Sequence, residues 1–167
     1  MNKASNAGIG KRLLMLLLSI AMVFTMMPLT SAVSYADEAT PITSAEEFAA
    51  MDAAGNYVLA NDITVDTPYP NDFSGTFDGN GHTVTLAIEA DATYQALFKT
   101  LVGGATIKNL VTDGSVAVTS KSYTGGVAGK ASGEVTIANC VNNASVSGYK
   151  AVGGLVGWSM SGVVITG

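Results

Sequence analysis

The sequence predicts an all-β chain built as a parallel β-solenoid, on three observations. From Tyr57 onward it consists of short β-branched runs, such as Thr83–Ile88, Ala105–Val111 and Val135–Val141, punctuated by Gly, Asn and Asp. Second, it repeats. Gly126-Val-Ala-Gly129 recurs as Gly154-Leu-Val-Gly157, and Val135-Thr-Ile137 recurs at the same step as Val163-Val-Ile165. A slightly longer step lays Thr106-Ile-Lys-Asn109 on Thr136-Ile-Ala-Asn139 and Ala96-Leu-Phe-Lys99 on Gly126–Gly129. Third, no helical periodicity follows residue 55. Repeats of this length with several short strands and no helix fit coils that stack at the inter-strand spacing of about 4.8 Å.

The chain opens with Lys3, Lys11 and Arg12, then an apolar run from Leu13 to Met27, then Pro28 and small residues. This is the layout of a secretory signal peptide over residues 1–36, with cleavage after Ala32 or Ala36. The apolar run is short of the roughly 20 residues that span a bilayer. Stretched through Val33 it would serve as an uncleaved anchor, but cleaved secretion is the favoured reading, with no membrane contact thereafter. No cysteine follows the run to carry a lipid. Removal of residues 1–36 leaves five lysines against 13 acids, a net charge of −8 for residues 37–167. That charge argues against nucleic acid as a partner, which needs a basic footprint. The single Cys140 excludes an internal disulfide, and with the single His82 it excludes a zinc site of Cys and His.

Residues 37–56 read as an acidic linker (37–43) and a short helix. Ser44-Ala-Glu-Glu47 is a capping box ahead of Phe48, Ala49, Ala50 and Met51, predicting about two turns that end near Gly55-Asn56 and pack over an open end of the sheets. Residues 57–167 form the solenoid. Its expected core is Val84, Leu86, Ile88, Leu97, Ile107, Leu110, Val116, Val118, Val127, Val135, Ile137, Val146, Leu155, Val163 and Ile165. The glycines from Gly103 to Gly167, one residue in five, are expected at coil corners, where φ is often positive. Asn109 and Asn139 fall in register and are expected to stack as an amide ladder.

The segments FSGTFDGNGHTV (73–84), ATIKNL (105–110), GGVAG (125–129), VTIANCVNNASVSG (135–148) and GGLVG (153–157) resemble the GLUG-motif repeats of secreted bacterial surface proteins. GNYVLANDI (55–63) looks like the strand that leads into them, so the resemblance covers roughly residues 44–167. It implies a right-handed β-helix of the kind found in adhesin-like proteins and in the non-catalytic region of IgA-cleaving metallopeptidases. Two residues depart from the pattern. Lys99 stands where the last glycine of the first repeat belongs, and Ala128 replaces a larger apolar residue in the second, which suggests degenerate coils. The third copy stops just after Val163–Ile165 with no polar cap, so the expectation is a C-terminally incomplete solenoid that self-associates through its open coil.

No residue set predicts catalysis, cofactor binding or a metal centre. Asp78-Gly-Asn-Gly-His82 places Asn80, His82 and Glu89 at calcium-loop positions, but Thr83 stands where that loop needs glycine. A tight turn with positive φ at Gly79 and Gly81 is the simpler reading. Asp62, Asp66, Asp72 and Asp78 would supply paired carboxylates for glycan cleavage only if two stood about 5–9.5 Å apart, and a solvated acidic face is favoured. The glycine-rich segments lack the Gly-Lys-Ser/Thr of a phosphate loop, no H-E-x-x-H occurs, and Cys140 reads as apolar filler. Tyr123, Tyr149 and Trp158, near corners, are the candidate ligand contacts by stacking on sugars, weighed against plain corner packing. The sequence therefore points to a non-enzymatic module, secreted or on the bacterial cell surface, acting as a stalk or adhesin-like binder of host protein or glycan. The alternative is the N-terminal non-catalytic part of a larger secreted peptidase or polysaccharide-degrading enzyme.

Overall fold

The alternation expected of half-buried strands runs through the chain. In Thr83–Glu89 the residues Val84, Leu86 and Ile88 are buried, while Thr85, Ala87 and Glu89 face solvent. The computed structural model describes residues 38–167. The signal peptide expected over 1–36, with its two cleavage sites, lies outside the described residues.

The chain leads in with β1 (Thr40–Ile42) and helix α1 (Ala45–Ala49). A first coil holds β2 (Asn56–Leu59), β3 (Ile63–Val65) and β4 (Tyr69–Phe73). A second holds β5 (Thr76–Asp78), β6 (Thr83–Glu89) and β7 (Phe98–Leu101). The third comprises β8 (Thr106–Lys108), β9 (Val111–Ala117), β10 (Ser122–Thr124) and β11 (Ala128–Ala131). The fourth comprises β12 (Val135–Ala138), β13 (Val141–Asn142), β14 (Ser145–Ser147), β15 (Lys150–Val152) and β16 (Val156–Ser159), and β17 (Val163–Thr166) follows.

Like strands stack on like, always in parallel. One sheet runs β1-β2-β5-β8-β12-β17, a second β3-β6-β9 with β13 and β14 both on β9, and a third β4-β7-β11-β16. The product is a β-solenoid of about four turns. Register confirms both repeat steps, with Ile107 beside Ile137, Ile137 beside Ile165, and Phe98 beside Ala128. The first coil is shorter. Tyr57 pairs with Phe77, whereas Phe77 must wait half as long again along the chain for its partner Ile107.

The buried aromatic residues all lie in α1 and the first two coils, among aliphatic ones, whereas the later coils bury no aromatic ring. Phe98 lies 5.1–5.8 Å, centroid to centroid, from the rings of Phe48, Tyr69, Phe73 and Phe77, all buried. Such tilted and edge-to-face pairs each contribute about 0.5–1.5 kcal/mol beyond area burial. Burial raises the pKa of Tyr69, and its hydroxyl donates to Met51 O at 2.8 Å. Phe48 brings α1 into this cluster.

Several expectations need correction. The stretch 37–43 is not all linker. Thr40–Ile42 pairs with β2 and buries Ile42. The helix has five residues rather than two turns. Ser44 Oγ accepts from Glu47 N–H at 3.3 Å as the capping box requires. Glu47 reaches back one residue too far, accepting from Thr43 N–H at 2.6 Å and its hydroxyl at 2.8 Å, and these bonds lower its pKa. In the core, Ile137 is fully buried, but Ile165, one coil on, is 49 % exposed, and Val146, Leu155 and Val163 are half-buried. These four lie in the last coil or on β17, where no further strand covers them among the described residues.

The corners also depart from expectation. In the Asp78–His82 turn, positive φ falls on Asn80 (51°) and Gly81 (79°), not on Gly79. Asn80, Asn109 and Asn139, at 51–52°, occupy the same corner of successive coils, since asparagine tolerates the left-handed region. The expected amide ladder forms there. Asn139 Nδ2 donates to Asn109 Oδ1 at 3.4 Å, and Asn109 Nδ2 donates to Asp78 Oδ1 at 3.0 Å. None of the glycines of the two GG-x-x-G segments has positive φ. Their reason for being glycine is steric, and it leads to the outer surface.

Candidate functional site: an aromatic ladder on a strained ledge

Between the second and third sheets, the longer coils project a ledge in which β10 pairs with β15 and Gln95 bridges to Thr124. Three residues on it hold positive φ, one in each of three successive coils: Tyr94 (60°), Tyr123 (73°) and Ala151 (51°). Left-handed backbone costs a residue with a Cβ about 1–2 kcal/mol, so the same strain repeated coil after coil is part of the design. What permits it is glycine on the neighbouring coil. A Cβ on Gly157 would stand 2.5 Å from Thr124 N and 2.6 Å from Tyr123 C, and a Cβ on Gly129 would collide with the Tyr94 backbone. The ledges of the second and third coils thus each fold down onto a glycine of the next coil.

Lys99 fits this rule and does not mark a degenerate coil. It is the residue of β7 matching Gly129 and Gly157. In the first coil the connection from β3 to β4 is only residues 66–68, with no positive-φ residue. No ledge precedes Lys99, so a side chain is tolerated. Ala128 likewise has a physical reason, being fully buried beside Phe98, whose ring takes the volume.

The strained ledge aligns a stack of rings. Tyr94 and Tyr123 lie 5.2 Å apart at 18°, and Tyr123 and Trp158 lie 4.9 Å apart at 26°. Lys130, which β11 places beside Trp158 of β16, holds its Nζ 5.5 Å from the Trp158 centroid and 5.9 Å from that of Tyr94. Its ammonium is therefore bracketed by two rings one coil to either side. Among the described residues no carboxylate pairs with it, whereas Lys108 gives its charge to Asp78 at 3.2 Å. Tyr94, Tyr123 and Lys130 are half-buried and Trp158 is 36 % exposed, so the stack faces solvent along one flank. Beneath Tyr123, Thr124 Oγ1 is buried with no hydrogen-bond partner.

Of the candidate contacts, the structure brings Tyr123 and Trp158 together and leaves Tyr149 apart. Tyr149 is 63 % exposed at the end of the ledge. Its N–H donates to Lys121 O at 3.1 Å, and Lys150 Nζ lies 5.1 Å over its ring. Sequence reasoning missed Tyr94 and Lys130. The repeat would have found both, because Tyr94 precedes Tyr123, and Lys130 precedes Trp158, by about one coil of chain in each case.

Of the acidic candidates, Asp62 and Asp78 are each engaged by neighbouring groups. Asp62 accepts from Thr83 N–H at 2.9 Å and His82 Nδ1 at 3.1 Å, contacts that lower its pKa. Burial alone would raise the Asp78 carboxyl. The Asn80 N–H at 2.8 Å, the Asn109 amide and Lys108 outweigh it and hold the pKa below the ordinary value. Asp78 thus closes the amide ladder, with its charge already matched. Among the described residues no three His, Cys, Asp or Glu side chains gather as a metal would need. Cys140 is half-buried and its thiol pKa is raised by desolvation, so its thiolate is disfavoured. Comparison of the chain with protein-family models, with curated proteins and with solved structures found no match.

Proposed function

We propose that this chain is a non-enzymatic module of a secreted or surface-attached bacterial protein, of the GLUG-repeat kind, with a right-handed solenoid closed at its N-terminal end by α1. It serves as a rigid stalk that carries a binding ledge, adhesin-like, for host glycan or protein. The observation that carries this reading is the Tyr94–Tyr123–Trp158 stack with Lys130 beside it. Left-handed strain is kept in successive coils to hold polarizable rings and an unneutralised ammonium at the surface, a feature the interior does not need. Rings and ammonium together offer stacking, hydroxyl hydrogen bonds and a positive charge, the groups that sugar rings and protein side chains engage.

Trp158 is the single tryptophan of the chain, so its emission reports on this site without labelling. Residues 37–167 titrated with a panel of glycans and host extracellular proteins should show a saturable change in Trp158 emission, abolished for that ligand in Tyr123→Ala. Cleavage of any panel member by the same preparation, or silence of the emission across the whole panel, would overturn the reading.

A further inference from the structure

We infer that the ligand of the ledge is an acidic glycan, a polymer or oligosaccharide whose sugar rings carry carboxylate or sulfate groups, with Lys130 as its anion contact. The inference rests on the reading of the ledge as a binding face and assigns the chemistry that face selects. Its basis is an ammonium held between two aromatic rings with no carboxylate paired to it among the described residues.

Residues 37–98 hold 11 acids and no cation, whereas residues 99–167 hold five lysines against Asp113 and Glu134. Lys108 is spent on Asp78. Lys130 is different in kind. An aromatic face attracts a cation through its quadrupole but carries no net charge, so Tyr94 and Trp158 fix the ammonium in place without neutralising it. The position of the charge is set before a ligand arrives, which removes the ordering cost that an exposed lysine ordinarily carries in binding. Lys150, held over Tyr149 at 5.1 Å, repeats the arrangement at the ledge end, and Lys121 lies next to Ser122 of the same ledge.

Asp72, in the same row of the third sheet with Thr100 between them, makes no ion pair with Lys130. The Asp91 carboxylate is occupied by Ser120, accepting from its N–H at 2.7 Å and its hydroxyl at 2.6 Å, with Lys121 alongside. Asp113 lies on β9, in the second sheet, and Glu134 in the turn before β12. A neutral sugar would use the rings and leave the ammonium unmatched. An acidic one satisfies both, and charge-assisted contacts are about twice as strong as neutral ones. The net charge of residues 37–167, −8, repels polyanions at long range, so recognition of such a ligand must be local to the ledge, and nucleic acid, a far denser polyanion, is disfavoured.

The test follows Trp158 emission in residues 37–167 with polygalacturonate (carboxylate), chondroitin sulfate (sulfate and carboxylate) and neutral dextran, at low and high salt. One or both acidic polymers should bind at least about tenfold tighter than dextran, and raising salt from about 50 to about 300 mM should weaken that binding severalfold. Which acidic polymer binds tells carboxylate from sulfate as the group recognised. Lys130→Gln should lose about tenfold in affinity and flatten the salt dependence, and Lys130→Arg should restore both. Unfolding midpoints equal to the parent show that a loss is one of binding and not of folding. Equal, salt-insensitive binding of dextran and the acidic polymers overturns the acidic assignment while leaving the binding face standing. Absence of binding to all three overturns the glycan reading altogether. Unaltered affinity in Lys130→Gln overturns the role of that residue.

Discussion

Substituting Gly157 by alanine should both destabilise the chain and perturb the ring stack. The added Cβ would stand 2.5 Å from Thr124 N, 2.6 Å from Tyr123 C and 2.9 Å from Gly129 O, where carbon-to-heavy-atom contacts ordinarily begin near about 3.5 Å. All three opposing atoms are backbone, so no rotamer change relieves the overlap, and the ledge must lift by about 1 Å. Forcing a methyl group into packed surroundings costs about 1–3 kcal/mol. Lifting Tyr123 also separates it from Trp158, now 4.9 Å away, and forfeits about 0.5–1.5 kcal/mol of stacking. Together the expected loss is about 1.5–4.5 kcal/mol. Urea unfolding followed by far-UV circular dichroism gives the stability, and Trp158 emission in the folded state gives the local change. Gly129→Ala should behave alike one coil earlier, whereas Lys99→Ala, at the matching position with no ledge before it, should stay within about 0.5 kcal/mol of the parent. A Gly157→Ala chain of unaltered stability and emission, or a Lys99→Ala chain as damaged as Gly129→Ala, would refute the ledge-on-glycine account.

Four further outcomes follow from the packing. Phe48→Ala should cost about 3–5 kcal/mol in urea unfolding, since its buried ring meets those of Tyr69, Phe77 and Phe98; a loss under about 1 kcal/mol would mean that α1 does not seal the aromatic cluster. Thr124→Val should stabilise by about 1 kcal/mol, because it replaces a partnerless buried hydroxyl by a methyl group of similar shape, and a lower unfolding midpoint would contradict this. Asp78 has a folded pKa below its unfolded value, so its contribution is fully present above the unfolded pKa near 3.8 and fades as pH falls through the folded one. Asp78→Asn should accordingly lower the midpoint at about pH 6, with a deficit that shrinks progressively as pH falls below 3.8, whereas a deficit independent of pH would rule out the carboxylate charge as its source. Residues 37–167 should self-associate through the edge of β17, which pairs only with β12 among the described residues and leaves Val164 and Ile165 exposed, and sedimentation as a monomer at all accessible concentrations would count against it.

Much of the fold was legible because a solenoid writes its geometry into spacing. The two repeat steps became the parallel registers of Ile107, Ile137 and Ile165, and Asn109 and Asn139 met as expected. The first coil was harder to see. Its shorter step, from Tyr57 to Phe77, shares no motif with the later coils, and β1 hides in an acidic, proline-containing stretch whose strand character comes only from pairing with β2. The glycines were legible only in part: Gly104, Gly114, Gly133, Gly162 and Gly167 do hold positive φ, but composition cannot tell such a residue from one, like Gly129 or Gly157, that admits a neighbouring backbone. The site was half legible. Tyr123 and Trp158 stood out as aromatics near corners, but their pairing depends on a left-handed residue in one coil meeting a glycine in the next, which only three-dimensional register reveals.

The confinement of the buried rings to α1 and the first two coils has a kinetic consequence. Ile107, Ile137 and Ile165 are interchangeable, so the later coils carry little information about which neighbour each should join, and a slip by a whole coil changes few of their contacts. Phe48, Tyr69, Phe73, Phe77 and Phe98 interlock in one way only, and the Asp78–Lys108 pair ties them to the third coil. Folding should therefore nucleate at this end and propagate by templating, each completed coil dictating the alignment of the next, so that substitutions among the phenylalanines slow folding while those around Val163 chiefly speed unfolding.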